Sequence, residues 1–405
     1  MKTHNELRPS RAAVVADYGL YSLTNFVLGI AVARVANLAV FGVFALLFQL
    51  CNFSLVMIRA ALGETWLVTQ TGTGPERTPL PTAFAFALGL GLVPVFVLVA
   101  ALLTDLTNHL EMVLAMAAIL PALIAQDTHR FVCFASRNPW RAVFSDTSWL
   151  VTQVATLVCM ALGILPNTPA WAALAWTIGA YAGLLTIGAR SHLRPGLIVP
   201  GFNWWRSKRR VGQHLAVETL GSSMVGPLIA IGLFMMGKDV ALGVLRAAST
   251  LFSPILVFAQ GMRTALTRWT AHDRLKGPRG ARFLLATTSL VWGGVLFTAP
   301  SVGKIILGGL WGPSIRQIVL LEAAARIGLA SAAIDSACLR KRAATFTAAA
   351  IGIWSGGLVV SAALLGSMVD DFFGAAVGTA AAYALGAAVW RYHCARTRVS
   401  SSLPG

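Results

Sequence analysis

Long apolar segments recur along the whole chain, and each is close to the length that a helix needs to cross a lipid bilayer. A spanning helix takes about 20 residues to cross a hydrocarbon layer of roughly 30 Å. Clusters of proline and glycine, such as those at 165–169 and 277–280, separate the segments. Twelve segments qualify: 12–34, 38–60, 82–103, 110–130, 142–163, 170–189, 212–236, 240–262, 282–300, 316–338, 343–366 and 372–390. The sequence therefore predicts an all-α, polytopic membrane protein with about 12 transmembrane helices.

The composition excludes the ordinary soluble classes. Hydrophobic residues make up 57% of the 405 residues and charged residues only 12%, whereas soluble domains carry roughly 25% charged residues. The formal net charge of +17 would indicate nucleic acid only if it formed a basic face on a soluble module. Here the basic residues lie in short loops between apolar segments. We therefore expect no nucleic-acid partner and a location in the cell (cytoplasmic) membrane.

The charges in the loops predict the orientation of the chain. With twelve helices, one side of the membrane receives the basic groups at 2–11, 77, 130–141, 190–210, 263–282, 340–342 and 391–398. The other side receives only Arg34, Lys238, Lys304 and Arg316, with Asp370 and Asp371. Because basic loops stay in the cytoplasm, both termini are predicted to be cytoplasmic. The first segment is too long for a signal sequence and contains Asp17 and Asn25, so we expect it to be retained as helix 1.

Motifs of soluble enzymes and of metal sites are absent from the sequence. There is no Walker A sequence, no GxSxG and no HExxH. The five cysteines form no CxxC pair and no cluster with histidine at metal-ligand spacing. We therefore expect no cofactor, no metal and no enzymatic activity. A membrane-embedded enzyme usually has a long outer loop, which the predicted topology lacks; a scaffold that transports nothing is a further alternative.

Polar residues fall on chosen faces of the first two predicted helices. Asp17, Tyr21, Thr24 and Asn25 share one arc of helix 1, and Gln49, Asn52 and Arg59 share one arc of helix 2. Lipid cannot satisfy such groups, so these faces must meet protein or water. The arrangement predicts one wall of a transport pathway.

A weak self-similarity at an offset of about 201 residues predicts two homologous halves. Asp17 aligns with Glu218, and Gly42 with Gly243. A second polar face on predicted helix 8 contains Arg246, Ser249, Thr250, Ser253 and Gln260. We predict an N-terminal six-helix lobe (1–200), a basic cytoplasmic linker (201–211), a C-terminal six-helix lobe (212–390) and a cytoplasmic tail (391–405). The linker contains Trp204 to Arg210 and is expected to lie on anionic membrane lipids.

The charged residues at membrane depth are the candidate functional groups. Arg59 and Arg246 are either contacts for an anionic substrate, such as a diphosphate, or helix-end residues that reach the interface. Asp17 and Glu218 either form a cytoplasmic gate, carry coupling protons, or complement a helix dipole. Arg34 and Glu64 are candidates for gate residues or interfacial residues. Glu322 and Arg326 are expected to pair with each other, and Asp146 and Asp335 to pair with loop arginines.

The first hairpin resembles the polysaccharide transporters of the MOP exporter superfamily, which also contains O-antigen-type flippases and MATE antiporters. The residues that carry the resemblance are Asp17, Ser22 to Phe26, Gly29, Ala33-Arg34, Phe41 to Phe44, Arg59 and Glu64. The resemblance implies two six-helix bundles in a V, alternating access, and a cationic central cavity lined by helices 1, 2, 7 and 8. It also implies a substrate that is a polyprenyl-diphosphate-linked oligosaccharide.

These expectations lead to one functional hypothesis and one alternative. We predict a flippase in which Arg59 and Arg246 contact the diphosphate, and in which Asn25, Gln49, Asn52, Ser249, Ser253 and Gln260 line the substrate cavity. The alternative is a MATE-like, cation- or proton-coupled multidrug antiporter. Buried carboxylates and aromatic residues in the cavity would favour the antiporter, whereas arginines in the cavity would favour the flippase, so the sign of the cavity charge separates the two.

Overall fold

The computed structural model describes residues 11–70, 80–136, 138–186, 193–255, 277–341 and 345–400. Nearly all of these residues are helical, and none of them forms a β-strand. The chain divides into two compact units. Unit 1 comprises the residues up to Val35 together with Leu47–Thr219, and unit 2 comprises Ala36–Leu46 and the residues from Leu220 onward. The boundaries after Leu46 and Thr219 fall inside helices, and the boundary after Val35 falls between two helices.

Helices α1 to α9 lie within residues 11–223. They are α1 (Arg11–Val35), α2 (Leu38–Ile58), a π-helical segment (Arg59–Glu64), α3 (Thr65–Gln70), α4 (Leu80–Leu103), α5 (Leu106–Ala118), α6 (Leu120–Ala135), α7 (Trp140–Ala161), α8 (Pro169–Thr186) and α9 (Ile198–Ser223). Unit 2 continues with α10 (Val225–Met235), α11 (Asp239–Leu251), α12 (Gly277–Thr298), α13 (Pro300–Leu307), α14 (Pro313–Lys341) and α15 (Thr345–Ser400).

Among the described residues, seven helices are long and apolar enough to cross a membrane, and an eighth arises if one bent pair counts as a single span. That pair, Arg282–Thr298 with Pro300–Leu310, is bent by 94°, at a position where proline 300 removes a main-chain donor. The prediction of a helical membrane protein is thus confirmed. The count of twelve spans and the cytoplasmic location of both termini stay predictions.

The longest helix, α15, is a hairpin of two helices that pack very closely. Its backbone leaves the helical region at Asp370 and Asp371. A side chain on Gly366 would collide with the main chain of Gly374, and one on Gly378 would collide with that of Ala362. These paired positions lie symmetrically about 370, so the chain reverses there. The turn falls between the predicted segments 343–366 and 372–390, and small residues allow the close approach.

A second close contact relates the two predicted halves of the chain. Within unit 2, a side chain on Gly42 of α2 would collide with the main-chain oxygen of Asp239, and one on Gly243 of α11 would collide with that of Leu38. Gly42 and Gly243 are 201 positions apart, and so are Leu38 and Asp239. Each half of the contact therefore repeats the other, and this pseudo-two-fold symmetry supports the internal repeat at the predicted offset.

The predicted basic linker, 201–211, is helical and lies within α9. Its aromatic residues face unit 1: Trp204 lies 4.9 Å from Trp66 between ring centroids, and Phe202 lies 5.6 Å from Phe84. Gly212 approaches the main-chain oxygen of Ala61 so closely that a Cβ would be 2.8 Å away. The basic side chains Arg206, Lys208, Arg209 and Arg210 are exposed. The segment is therefore an amphipathic helix rather than a loop, with one face packed on protein.

Candidate buried charge cluster in unit 1

Five charged side chains from four helical segments meet in the interior of unit 1. They are Asp17 of α1, Arg59 of the π-helical segment, Asp127 and Arg130 of α6, and Asp146 of α7. All but Arg59 are at most 2% exposed, and the side chain of Arg59 is 14% exposed. We call this group the acidic cluster. Charges buried this deeply are stable only when they are paired or neutralised.

Arg130 lies at the centre of the acidic cluster. Its Nη1 donates to Asp127 Oδ1 at 2.7 Å, and its Nη2 donates to Asp146 Oδ2 at 2.6 Å. Its Nε forms an ion pair with Asp17 Oδ2 at 2.7 Å. The guanidinium also lies 4.6 Å from the centroid of the Tyr21 ring, a distance typical of a cation–π contact. One arginine therefore holds three carboxylates from three different helices.

Arg59 occupies the remaining side of Asp127. Its Nε donates to Asp127 Oδ2 at 2.8 Å and its Nη2 to Asp127 Oδ1 at 2.7 Å, in the bidentate geometry that a guanidinium fork favours. The centroid of Tyr21 is 5.9 Å from the same guanidinium. Arg59 begins a π-helical segment, a distortion found often at functional sites. Gly63 in that segment packs so tightly on α6 that a Cβ would lie 2.7 Å from the Phe131 ring.

The formal charges of the acidic cluster do not cancel. Three carboxylates and two guanidinium groups leave a net charge of −1. Asp17 is fully buried, and neither of its carboxyl oxygens accepts a hydrogen bond of acceptable geometry from the described residues. The carboxyl groups of Asp17 and Asp146 contact the same guanidinium group, that of Arg130. Two ionised carboxylates held around one guanidinium repel each other, and a proton bound by either of them would remove that repulsion.

A chain of neutral hydrogen bonds fixes Asp146 on the side away from Arg130. Gln126 Nε2 donates to Asp146 Oδ1 at 3.0 Å and contacts Ser145 Oγ at 2.8 Å. Ser145 in turn donates to the main-chain oxygen of Gly183 at 2.9 Å. All of these side chains are buried. Asp146 is therefore positioned by helices α6, α7 and α8 together.

Three members of this cluster were singled out from the sequence, whereas Asp127 and Arg130 were given no functional role. Asp17 and Arg59 were candidate functional residues, and Asp146 was expected to pair with a loop arginine. Asp146 does pair with an arginine, Arg130, but Arg130 lies buried within α6 (Leu120–Ala135) rather than in a loop. The charge count assigned Arg130 to a loop, since an arginine near the end of an apolar segment normally marks the interface. The i, i+3 spacing of Asp127 and Arg130, which places both on one face, was the available signal.

Other predicted site residues in unit 1 lie apart from these ion pairs. Asn25, Gln49 and Asn52 are half-buried, and Arg34 is exposed in the last turn of α1. Glu64 ends the π-helical segment and is half-buried. Their roles as substrate contacts or gate residues stay predictions.

A smaller polar group lies in unit 2. Glu322 and Arg326 of α14 pair with each other, as the sequence predicts. Arg246 of α11 stacks 5.9 Å from the ring centroid of Phe44 and interacts electrostatically with Arg326, which also interacts with Tyr383. We call Arg246, Glu322, Arg326 and Tyr383 the basic group.

The remaining predicted residues of unit 2 lie near or beyond this group. Ser249 and Ser253 are half-buried one and two turns beyond Arg246. Gln260 lies outside the described residues, as does the side chain of Glu218. Asp335 pairs with Arg282, which lies on helix α12.

The described residues contain no group of three or more His, Cys, Asp or Glu side chains that could hold a metal ion. In the acidic cluster the carboxylates face guanidinium groups instead. Buried carboxyl groups can bind and release protons, and a carboxylate that faces a guanidinium group can exchange that cation for another.

No protein-family model matches the sequence, and no curated protein matches it either. Solved structures do match over nearly the whole chain. An inward-facing multidrug resistance MATE family transporter of the MOP superfamily has a TM-score of 0.71 and 11% identity, covering 94% of this chain and 94% of its own. An outward-facing structure of a multidrug resistance MATE family transporter of the MOP superfamily has a TM-score of 0.60 and 12% identity, covering 96% of this chain and 95% of its own. The eukaryotic MATE transporter AtDTX14 has a TM-score of 0.58 and 14% identity, with 96% and 97% covered.

At these identities the likeness establishes the fold. It agrees with the superfamily that the first hairpin resembles, while the polysaccharide-flippase branch stays a prediction. The chain has the fold of the MATE transporters of the MOP superfamily.

Proposed function

We propose that this chain is a membrane transporter that exports an organic substrate in exchange for a proton. This is the antiporter alternative of the sequence analysis, and the structural neighbours, titled as multidrug resistance transporters, support it better than the flippase hypothesis. The observation that carries the proposal is the acidic cluster, whose formal charge of −1 is buried in unit 1.

A proton on the Asp17–Asp146 pair removes the excess charge. An unpaired ionised carboxylate is costly in a low-dielectric interior, so the buried cluster favours a bound proton. Loss of that proton leaves two neighbouring carboxylates that repel each other across a single arginine. The two protonation states therefore favour different arrangements of α1, α6 and α7, which is what coupling requires.

The groups that face the Asp17–Asp146 pair determine its response to pH. On α1 and α6 they are Tyr18, Tyr21, Asp127 and Arg130, and on the π-helical segment Arg59. His129, which is also on α6, has its Nδ1 3.2 Å from Oγ1 of Thr82. Both arginines stay charged at physiological pH. The carboxyl pair is thus the group that titrates when the transporter turns over.

The flippase stays as a second candidate because of the basic group of unit 2. Two arginines and one glutamate give it a formal charge of +1, which suits the diphosphate of a lipid-linked sugar. The other predicted diphosphate contact, Arg59, directs its guanidinium fork at Asp127. It would serve an anion only after that ion pair opens.

Transport in proteoliposomes tests the proposal. Purified protein is reconstituted with a pH-sensitive dye inside, and ethidium movement is followed under pH gradients of either sign. We expect ethidium to move against its own gradient when protons flow down their gradient into the compartment that ethidium leaves. The dye inside the liposomes should report this proton flow, as acidification when ethidium leaves the liposomes and as alkalinisation when it enters them. Ethidium movement that ignores the sign of the gradient contradicts proton exchange. Transport of a lipid-linked oligosaccharide with no ethidium movement would favour the second candidate.

A further inference from the structure

Arg59 differs from the other members of the acidic cluster in two respects. Its side chain is 14% exposed, whereas Arg130 and Asp127 are each 2% exposed. It also contacts one carboxylate, Asp127, while Arg130 contacts three. Of the two guanidinium groups, Arg59 is the one that can leave while the rest of the cluster keeps its pairing.

The backbone under Arg59 is also suited to a change of position. The π-helical segment Arg59–Glu64 has wider turns than an α-helix, and it joins α-helical segments on both sides. Conversion of that segment to α-helix would change the register of Arg59 relative to α6.

The groups around Arg59 indicate which kind of ligand could take its place. They are a bidentate carboxylate, Asp127, and the Tyr21 ring 5.9 Å from the guanidinium carbon. Asp127 is held on its other side by Arg130. Such a site recognises a flat cation that donates two parallel N–H bonds and stacks on an aromatic ring.

The acidic excess of the cluster makes the exchange electrically feasible. When Asp17, Asp127 and Asp146 are all ionised, three carboxylates face two guanidinium groups, so the deprotonated cluster can hold one further positive charge. A second cation can therefore approach before Arg59 has left.

We propose that Asp127 is an exchange site for planar amidinium or guanidinium cations, and that Arg59 is a tethered cation that fills the site when no such substrate is bound. The inference rests on the proposed export of an organic substrate and specifies the class of that substrate. Substrate binding displaces Arg59, and release of the substrate lets Arg59 return. Because the tethered cation is part of the chain, the site never stands as an unpaired carboxylate.

Equilibrium binding of p-aminobenzamidine, a fluorescent amidinium, tests the exchange without any transport step. The purified full-length chain is titrated in detergent at constant pH, and its folding is checked by thermal unfolding. Arg59→Ala removes the internal competitor, so we expect it to bind the probe at least about tenfold more tightly than the wild type, as a 1.4 kcal/mol competitor would require. Arg59→Lys keeps the charge but loses the guanidinium fork, so its affinity for the probe is expected to lie between those of the wild type and Arg59→Ala.

Three controls test the location of the site and its chemistry. Asp127→Asn should weaken binding of the probe in both the wild-type and Arg59→Ala backgrounds. Benzyltrimethylammonium has the same charge but no N–H donor, and Arg59→Ala should not gain affinity for it. Arg282→Ala removes an arginine from an ion pair in unit 2 and should leave binding of the probe unchanged.

The proposal is overturned if folded Arg59→Ala binds the probe no more tightly than the wild type. If Arg59→Ala does not fold, the comparison of wild type with Asp127→Asn decides, and equal affinities overturn the proposal. Proton release from Asp17 and Asp146 is measured separately. A failure here with intact proton release removes the exchange site and leaves proton-coupled transport standing.

Discussion

Asp17 of α1 and Arg130 of α6 form an ion pair with 2.7 Å between Oδ2 and Nε, and neither side chain is more than 2% exposed. Arg130 extends the same contact to Asp127 and Asp146. This one guanidinium therefore ties α1, α6 and α7 together in the interior of unit 1. The cluster consequently has a structural role as well as the functional role proposed for it.

Replacement of Arg130 should separate these two roles. Arg130→Ala leaves three buried carboxylates beside one remaining arginine, and breaking a buried ion pair costs about 3–5 kcal/mol. We expect a marked fall in the thermal unfolding temperature in detergent. Arg130→Lys keeps the charge but cannot reach three carboxylates at once. Its unfolding temperature should therefore lie between those of the wild type and Arg130→Ala. Equal unfolding temperatures for all three proteins would show that Arg130 does not hold the cluster.

The hairpin of α15 gives a prediction about packing. A side chain at Gly374 would meet the main chain of Gly366, which cannot move aside as a side chain can. We expect Gly374→Val to destabilise the protein by about 1–3 kcal/mol, in the range of overpacked cores. Gly357 lies on the same helix with open space around its Cβ position, so Gly357→Val is the matched control. The two variants should differ in thermal unfolding, and equal values would contradict the close helix contact.

The basic group of unit 2 provides a test of the flippase candidate. If Arg246 contacts a diphosphate, inorganic pyrophosphate should raise the thermal unfolding temperature of the wild type. A ligand at 100 times its dissociation constant stabilises by about 2.7 kcal/mol. Arg246→Ala should abolish that rise, while Arg34→Ala, which changes an exposed arginine, should keep it. If pyrophosphate does not raise the unfolding temperature of the wild type, the result contradicts a diphosphate contact at Arg246.

Asp105 gives a prediction about pH outside the spanning helices. Its carboxylate caps α5 by accepting from the main-chain N–H of Thr107 at 3.1 Å, and it also accepts from Thr107 Oγ1 at 2.6 Å. These bonds to Thr107 lower the pKa of Asp105, with further help from Asn108. A lowered folded-state pKa stabilises the protein above the unfolded pKa, and that stabilisation is lost as the pH falls through the folded pKa.

Asn also caps helices but does not titrate. The difference in unfolding temperature between wild type and Asp105→Asn should therefore shrink as the medium is acidified toward the folded pKa. A difference that is constant with pH would contradict the capping role of the charged form.

Much of the fold follows from the sequence, because each apolar segment must be helical in lipid whatever it contacts. The described helices begin and end close to most predicted boundaries, and the turn at Asp370–Asp371 separates two predicted segments. The amphipathic α9 was the main departure. Its charged residues resembled a loop, and its aromatic face was recognisable only once its partners Trp66 and Phe84 were placed.

The candidate site was predicted only in part, since its partners are distant in sequence. Arg59 and Asp127 are 68 positions apart, and periodicity on one helix does not show which helix faces it. Arg59 was predicted to contact an anionic substrate, and that role stays a prediction. In the structure Arg59 pairs with Asp127, and three buried aspartates with two arginines give the acidic cluster a formal charge of −1. No sequence signal predicted the π-helical segment that brings the two together.

The measurement closest to the central claim is the number of protons released when substrate binds. Ethidium is added to purified protein in weakly buffered detergent solution that contains a pH indicator. We predict release of about one proton for each ethidium bound by the wild type, because one shared proton neutralises the cluster. Asp17→Asn and Asp146→Asn should bind ethidium with no release. Equal proton release from the wild type and from both variants would contradict the assignment of Asp17 and Asp146 as the coupling pair.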